Sequence, residues 1–599
     1  MIGLSTPHDV YSRGRARCAG ELESAQGRSL WIARARLASF AALLLAGWLA
    51  YAGHLGLWWM LVPATGFIAL VIRHEREHRR IDRARRGVAH YDQGLSRLDG
   101  TWPGRGNVRA DLAPSDHPYA RDLDLFGHGS VFEMLCTART AAGEQALASW
   151  LLAPADLETL ERRREAIREL VPAVGLREDL ASVGASVRAE VDPAALAKWG
   201  EGPPLLDERQ RRRTVVLSWV LPPFAVLAAT LWLAGVISAA ASVAATIALA
   251  WFHRDVRGFT KSTQAAIERP ARELAVVAES LARLERESFA APLLVELRAA
   301  LVHGNDSAST RIRGLRRWAE WLHLQNSQIF AIVAWFLCWG EHFCLGIERW
   351  RLRNGRDVAR WFHALGELEA LGALSARAFE QPADVWPELV TGETTVVGSG
   401  LGHPLLAAQT SVSNDVALGT PVRALVISGS NIAGKSTYMR TVGVNVVLAL
   451  AGAPVRATAL RLSVVQLGAS IRVEDSLRDG ASRFYAEITR LRQIVELSGG
   501  AIPVLFLLDE VLHGTNSSDR RVGARGVLLR LVELGAVGMM TTHDLALAMD
   551  VERDAPRIRN VHFCDELHGD RLVFDYRLRD GIVQTSNALA LMRAVGLQV

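Results

Sequence analysis

Residues 426–441 read VISGSNIAGKSTYMRT, and Gly429, Gly434, Lys435 and Ser436 fill the spacing G-x-x-x-x-G-K-[ST]. Glycines so placed let backbone N–H groups close around a polyphosphate, Ser430 included, while the lysine reaches the outer phosphates and the serine hydroxyl serves Mg²⁺. A second chemical group ends PVLFLLDE (503–510). Asp509 is suited to the Mg²⁺ shell, and Glu510 to taking a proton from an attacking water. A third run, AVGMMTTHD (536–544), ends near His543, where an imidazole can sense the γ-phosphate. Together these residues predict hydrolysis of a nucleoside triphosphate, with Glu510 and His543 in the chemistry and Ser436 and Asp509 at the metal.

Such groups need strands and a helix to hold them. ALVIS (424–428) supplies a strand before the loop, and STYMRTVGVNVVLAL supplies a helix whose N-terminus adds its dipole to the anion site. The apolar runs before Asp509 and His543 read as buried parallel strands that deliver polar groups to one edge of a sheet. LSGG (497–500) imitates a transporter signature, but it ends only ten residues before Glu510. That is too few for the helix that normally intervenes, so it reads as a helix C-terminus and turn.

The chain has 599 residues, half of them hydrophobic, and a formal charge of +5 in which arginine outweighs lysine. That balance permits contact with nucleic acid or anionic lipid and decides neither. Five cysteines, at 18, 136, 338, 344 and 564, form no C-x-x-C pair and read as reduced thiols on the cytosolic side. Two stretches account for the hydropathy. Residues 37–72 hold no Asp, Glu, Lys or Arg and are interrupted by GHLG (53–56). Residues 214–252 are uncharged and contain Pro222, Pro223 and Gly235. Each is long enough for two short crossings of a bilayer, and arginines at all four flanks place the rest of the chain in the cytoplasm. Buried helices of a large soluble protein are the alternative. A cleaved signal peptide fits poorly, because the first apolar stretch starts late and is too long. IFAIVAWFLCW (329–339) is too short to span and is expected in a helical core.

DLETLERRREAIREL (156–170), RPARELAVVAESLARLERESF (269–289) and residues 356–382 carry apolar residues at helical intervals, and HGNDSAST (303–310) reads as a turn between helices. The expected organisation is a basic segment 1–36, a transmembrane hairpin 37–72, a linker 73–120, helices 121–213, a second transmembrane hairpin 214–252, helices 253–382, and an ATPase domain 383–599.

At this point the sequence resembles the MutS family of mismatch-repair ATPases, from about residue 121 onward and apart from the second hairpin. GSNIAGKST is similar to the family's phosphate loop, with Asn431 inside it and Thr437 after the serine. DEVLHGTNSSD (509–519) matches at Gly514, Thr515 and Asp519. SRFYAEI (482–488) resembles the signature segment, in which Ser482 would reach the ATP of the opposite subunit. GHPLL (402–406) and NDVAL (414–418) resemble the lead-in to the ATPase domain. The resemblance implies an ABC-type α/β P-loop ATPase domain at the C-terminus, preceded by an all-α lever/core domain that the transmembrane helical hairpins interrupt. It also implies ATP and Mg²⁺ as ligands, hydrolysis at a homodimer interface, and DNA as a possible partner. Nothing before residue 120 resembles a mismatch-reading domain, and Phe132 and Glu133 are adjacent where a Phe-x-Glu wedge needs a spacer. HGNDSAST stands where the family inserts a DNA clamp, and GLQV ends the chain without the family's dimerisation tail. A membrane-anchored branch lacking the recognition domain is therefore expected. A membrane ATPase acting on something other than DNA, or a nucleotide-gated scaffold, stays open beside it.

Overall fold

The computed structural model describes residues 6–183, 193–267, 274–303, 306–326, 330–407, 409–429, 434–472, 483–513, 515–554, 556–568 and 571–583. The chain divides into two compact units, one of residues 1–92, 138–144 and 174–370, the other of residues 93–137, 145–173 and 371–599.

The first unit is almost wholly helical. Helix α1 (Pro7–Tyr51) starts at a capping box between Thr6 and Asp9 with Pro7 at its first position. After a turn at Gly53, whose φ of 75° suits glycine, the chain returns as α2 (Leu61–Leu98). Residues 7–36 of the expected basic segment and residues 73–98 of the expected linker are thus helix. Their seam explains why: Tyr11, Cys18, Ala25 and Ile32 are buried at intervals of seven, the repeat that keeps one helical stripe against a partner. Tyr11 meets Tyr91 of α2 edge-on at 5.7 Å. Gly87 lets the helices approach, since a Cβ there would stand 2.8 Å from Cys18 Sγ.

A second helical hairpin joins α3 (Glu208–Leu233) to α4 (Ala239–Ile267). Pro222 and Pro223 lie inside α3 without ending it, and the turn falls at Gly235. By length and composition two described helices could cross a membrane, α1 and α3, with 18-residue windows of mean hydropathy 1.4 and 1.9. The return helices α2 and α4 turn charged partway along. Apolar side chains on both hairpins are exposed, among them Leu37, Trp48, Trp58, Trp219, Leu233 and Trp251.

At HGNDSAST (303–310) Val302–His303 pair antiparallel with Asp306–Ser307, leading into α5 (Ala308–His323) through the Ser307 cap. The patch expected in a helical core is packed only in part: Cys338 is buried and Trp335 and Phe336 pack against the cluster of Ala225, Leu249, Phe252 and Val256, while the rest is more open. Within the short helix Ala331–Phe336 only Ala334 is buried, and Ile332 is 70% exposed. The run is too brief to cover both its faces. The long helix α6 (Trp339–Glu380) begins well before residue 356 and stops just short of Pro382.

In the second unit a mixed sheet of four strands, β1 (Glu388–Val390), β2 (Val396–Leu401), β3 (Asn414–Leu418) and β5 (Ala459–Ser463), runs in the order β1-β5-β2-β3. The larger sheet comprises β4 (Ala424–Ser428), β6 (Gln466–Ser470), β7 (Val504–Leu508), β8 (Val537–Thr542), β9 (Ile558–His568) and β10 (Arg571–Asp580), in the order β10-β9-β4-β8-β7-β6. Five strands are parallel and β10 closes one edge antiparallel to β9. Every residue of β4, β7 and β8 is buried, as their unbroken apolar runs predict. Helices α7 (Lys435–Ala451), α8 (Arg483–Leu497), α9 (Ser517–Glu533) and α10 (Leu545–Asp554) complete the layers. LSGG forms the end of α8 and its turn, as expected. Glu133, set against a wedge role by its spacing, is buried in the helix Val131–Leu135, and its carboxylate accepts from the backbone of Gly104, Gly106 and Gly129.

Candidate active site

The site forms where three parallel strands end at the same level. Ser428 of β4 is in register with Thr542 of β8, and Met540 of β8 with Leu508 of β7. The next residues along each strand, Gly429, His543 and Asp509, therefore emerge at one sheet edge. Gly429 and Gly434 have φ of 140° and 96°, and the second precedes the first residue of α7 without any side-chain cap. The helix N-terminus and its dipole thus face the loop, as an anion site requires.

Lys435 is 1% exposed, and its Nζ donates to Gly429 O at 2.7 Å. The same ammonium lies 3.3 Å from Glu510 Oε1 and 3.4 Å from His543 Nε2. Glu510 is held from several sides: His543 contacts one carboxylate oxygen, His513 contacts the other at 2.7 Å, and its backbone N–H donates to Thr541 Oγ1. Burial alone would raise the Glu510 carboxyl, but His543, Lys435 and His513 outweigh it and hold the group at about 2. Ser436 Oγ donates to Asp509 Oδ2 at 2.5 Å, and Thr541 Oγ1 to Asp509 Oδ1 at 2.5 Å. This hydroxyl and carboxylate are hard oxygen donors of the kind Mg²⁺ takes. A cleft of about 30 Å³ bordered by Glu510, His513, Thr541 and His543 has room for a water.

Beside the loop lies a cavity of about 410 Å³. Gly434, Ser436 and Thr437 form its phosphate-facing side, and Val412, Phe563 and Tyr576 give it apolar and aromatic walls. Asn414 fixes the Tyr576 segment, donating to Tyr576 O at 2.9 Å and accepting from Leu578 N at 2.8 Å. The cavity suits a nucleoside whose phosphates point toward Lys435, with Tyr576 available to stack on a base.

The structure thus brings together Gly429, Gly434, Lys435, Ser436, Thr437, Asp509, Glu510 and His543. Ser430, Asn431, Ser482 and Gly514 lie outside the described residues. Asp519 sits in the first turn of α9, its N–H capped by Asn516. Sequence reasoning missed Thr541, His513, Asn414 and Tyr576. Thr541 and His513 lie beside recognised motif residues and were legible as near neighbours. Tyr576 arrives from β10, 140 positions after Ser436, with no local signal.

Residues 425–598 match the family model of MutS domain V. Over 234 residues, 38% of this chain, the sequence is 35% identical to the DNA mismatch repair protein MutS 2 of Halobacterium salinarum. The match covers 27% of that relative, so the chain spans about a quarter of its length. Both likenesses are to MutS proteins and cover part of the chain.

Proposed function

We propose that the protein is a MutS-type ATPase, associated with DNA as in mismatch repair, that works as a homodimer tethered to a membrane by its two helical hairpins. The observation that carries the ATPase reading is the buried Lys435 ammonium, set between the Gly429 carbonyl and Glu510, with its chain neighbours Gly434 and Ser436 lining a base-sized cavity. Lys435 and the first turn of α7 bind the phosphates, and Tyr576 and its neighbours receive the base. Ser436 and Asp509 would hold Mg²⁺, which supplies charge neutralisation at the phosphates. Glu510 accepts the proton of the attacking water, and His543 and His513 orient its carboxylate. Thr541 fixes both carboxylates at once, through the Asp509 side chain and the Glu510 backbone.

Exposed Trp and Leu side chains along both hairpins support membrane tethering, since apolar surface in water costs about 25 cal/mol per Å². The same observation favours a second reading, an ATPase that remodels a substrate within the membrane. Three measurements on the full chain test these points. Lys435→Ala should weaken ATP binding at least tenfold, because charge-assisted hydrogen bonds contribute about 1.5–3 kcal/mol; undiminished binding would remove the phosphate-loop assignment. The protein should stay with membranes through carbonate extraction, and its recovery in the soluble fraction would end the tether. Detergent-solubilised protein should bind DNA with an affinity that falls steeply with salt; absence of DNA binding at low salt would favour the second reading.

A further inference from the structure

One cluster in the helical unit, which does not contain the nucleotide site, combines nitrogen, oxygen and sulfur donors. His253, Cys338 and Glu341 each offer a ligand atom, and the three atoms lie within 4.8 Å of one another. His253 follows the apolar run of α4. Cys338 occupies the break between the helix Ala331–Phe336 and α6, and Glu341 lies in the first turn of α6. No spacing in the sequence links 253 to 338. Cys338 is fully buried and holds φ at 49°, a left-handed conformation that an L side chain rarely adopts and that clusters at functional positions.

The hydrogen bonds define the imidazole. His253 Nε2 lies 3.0 Å from Trp335 O, and a carbonyl only accepts, so Nε2 carries a proton. Nδ1 is left facing Glu341 Oε1 at 2.8 Å. A metal-bound histidine has the same arrangement, one nitrogen donating to a backbone carbonyl and the other directed at the ion. Ala225, Leu249, Phe252 and Val256 pack with Cys338 in one apolar cluster, and such a low-dielectric wall strengthens a cation's hold on charged ligands.

We propose that His253 Nδ1, Cys338 Sγ and Glu341 Oε1 form a three-ligand site for Zn²⁺ or a similar borderline divalent ion. A thiolate, an imidazole and a carboxylate are its usual protein ligands, and a fourth position stays open. Binding releases the thiol proton and the proton shared between His253 and Glu341, so affinity rises with pH. The ion would pin the end of α4 to the start of α6.

The test uses full-length protein in detergent, stripped with chelator, without nucleotide, and titrated with Co²⁺. One Co²⁺ per chain with a sulfur-to-cobalt charge-transfer band, displaced by Zn²⁺, is expected. Cys338→Ala and His253→Gln should abolish the band, and Cys344→Ala, which removes another buried thiol of α6, should keep it. No thiolate band in the wild-type protein at saturating Co²⁺ would reduce the cluster to a His253–Glu341 ion pair and overturn the site, whatever the variants do. A band that survives in Cys338→Ala would overturn it equally.

Discussion

Lys435 is one of three lysines in the chain, with Lys198 and Lys261, among 68 basic residues. At Lys435 a compact point charge fits between the Gly429 carbonyl and the Glu510 carboxylate, a place that a guanidinium fork would not fill in the same way. Glu510, its neighbour, is clamped by Lys435, His543 and His513. Glu510→Gln should leave ATP binding intact and slow single-turnover hydrolysis about 10²–10⁴-fold, the usual contribution of a general base. Undiminished turnover would place the base elsewhere. The clamp also has a stability signature. The Glu510 carboxyl is depressed from an ordinary 4.5 to about 2, so its contribution is fully present above about pH 4.5 and is lost as pH falls toward 2. In the nucleotide-free protein the excess of wild-type Tm over Glu510→Gln should therefore shrink as pH drops from 5 toward 2.5. A constant difference across that window would show that the ion pairs do not stabilise the fold.

Among elements, the strands were legible and their cross-connections were not. β4, β7 and β8 announce themselves as five- and six-residue apolar runs followed by Gly429, Asp509 and His543, because a strand buried on both faces has no reason to alternate. The α1 seam was hidden, since a seven-residue repeat of Tyr11, Cys18, Ala25 and Ile32 is sparse among charges. The patch around Ile332 misled, because an apolar run says nothing of whether protein covers it. The nucleoside wall at Tyr576 depends on how β10 returns beside α7, which is tertiary information. Helix α8 makes another such connection. Its buried Glu487 accepts from Leu512 N at 2.5 Å, in the turn where Glu510 and Leu512 have φ of 45° and 63°. That bond ties the segment resembling the family signature to the turn that holds Glu510, the proposed general base. Glu487→Ala leaves the Leu512 N–H without its acceptor, a loss of about 1–3 kcal/mol. It should lower both Tm and kcat with little change in KM, while Glu487→Gln, which keeps a carbonyl oxygen there, should recover most of kcat. Equal losses in the two variants would mean that the charge of Glu487, and not its acceptor oxygen, matters.

For the whole molecule the decisive question is how many chains one ATP site needs. In the proposed arrangement Lys435 and Glu510 act on one chain's nucleotide, and Ser482 of the partner reaches the same phosphates. Helical hairpins anchored in one bilayer would favour that pairing, because confinement to a plane raises the effective concentration of each ATPase unit for the other. The organisation predicts complementation. Lys435→Ala and Ser482→Ala homodimers should each be inactive, since every site lacks one required group. A mixed dimer holds one site that lacks both groups and one that lacks neither, because the intact Lys435 and the intact Ser482 then face the same nucleotide. With random exchange about half of the dimers are mixed and half of their sites are whole, so roughly a quarter of wild-type ATPase activity should return if the two sites fire independently. Less will return if both sites must close together. The measurement is steady-state ATP turnover after co-reconstitution, with subunit exchange verified by differently tagged chains. A mixture that exchanges and yet shows no more turnover than the separate mutants would mean that Ser482 does not act across the interface, and that each chain completes its own site.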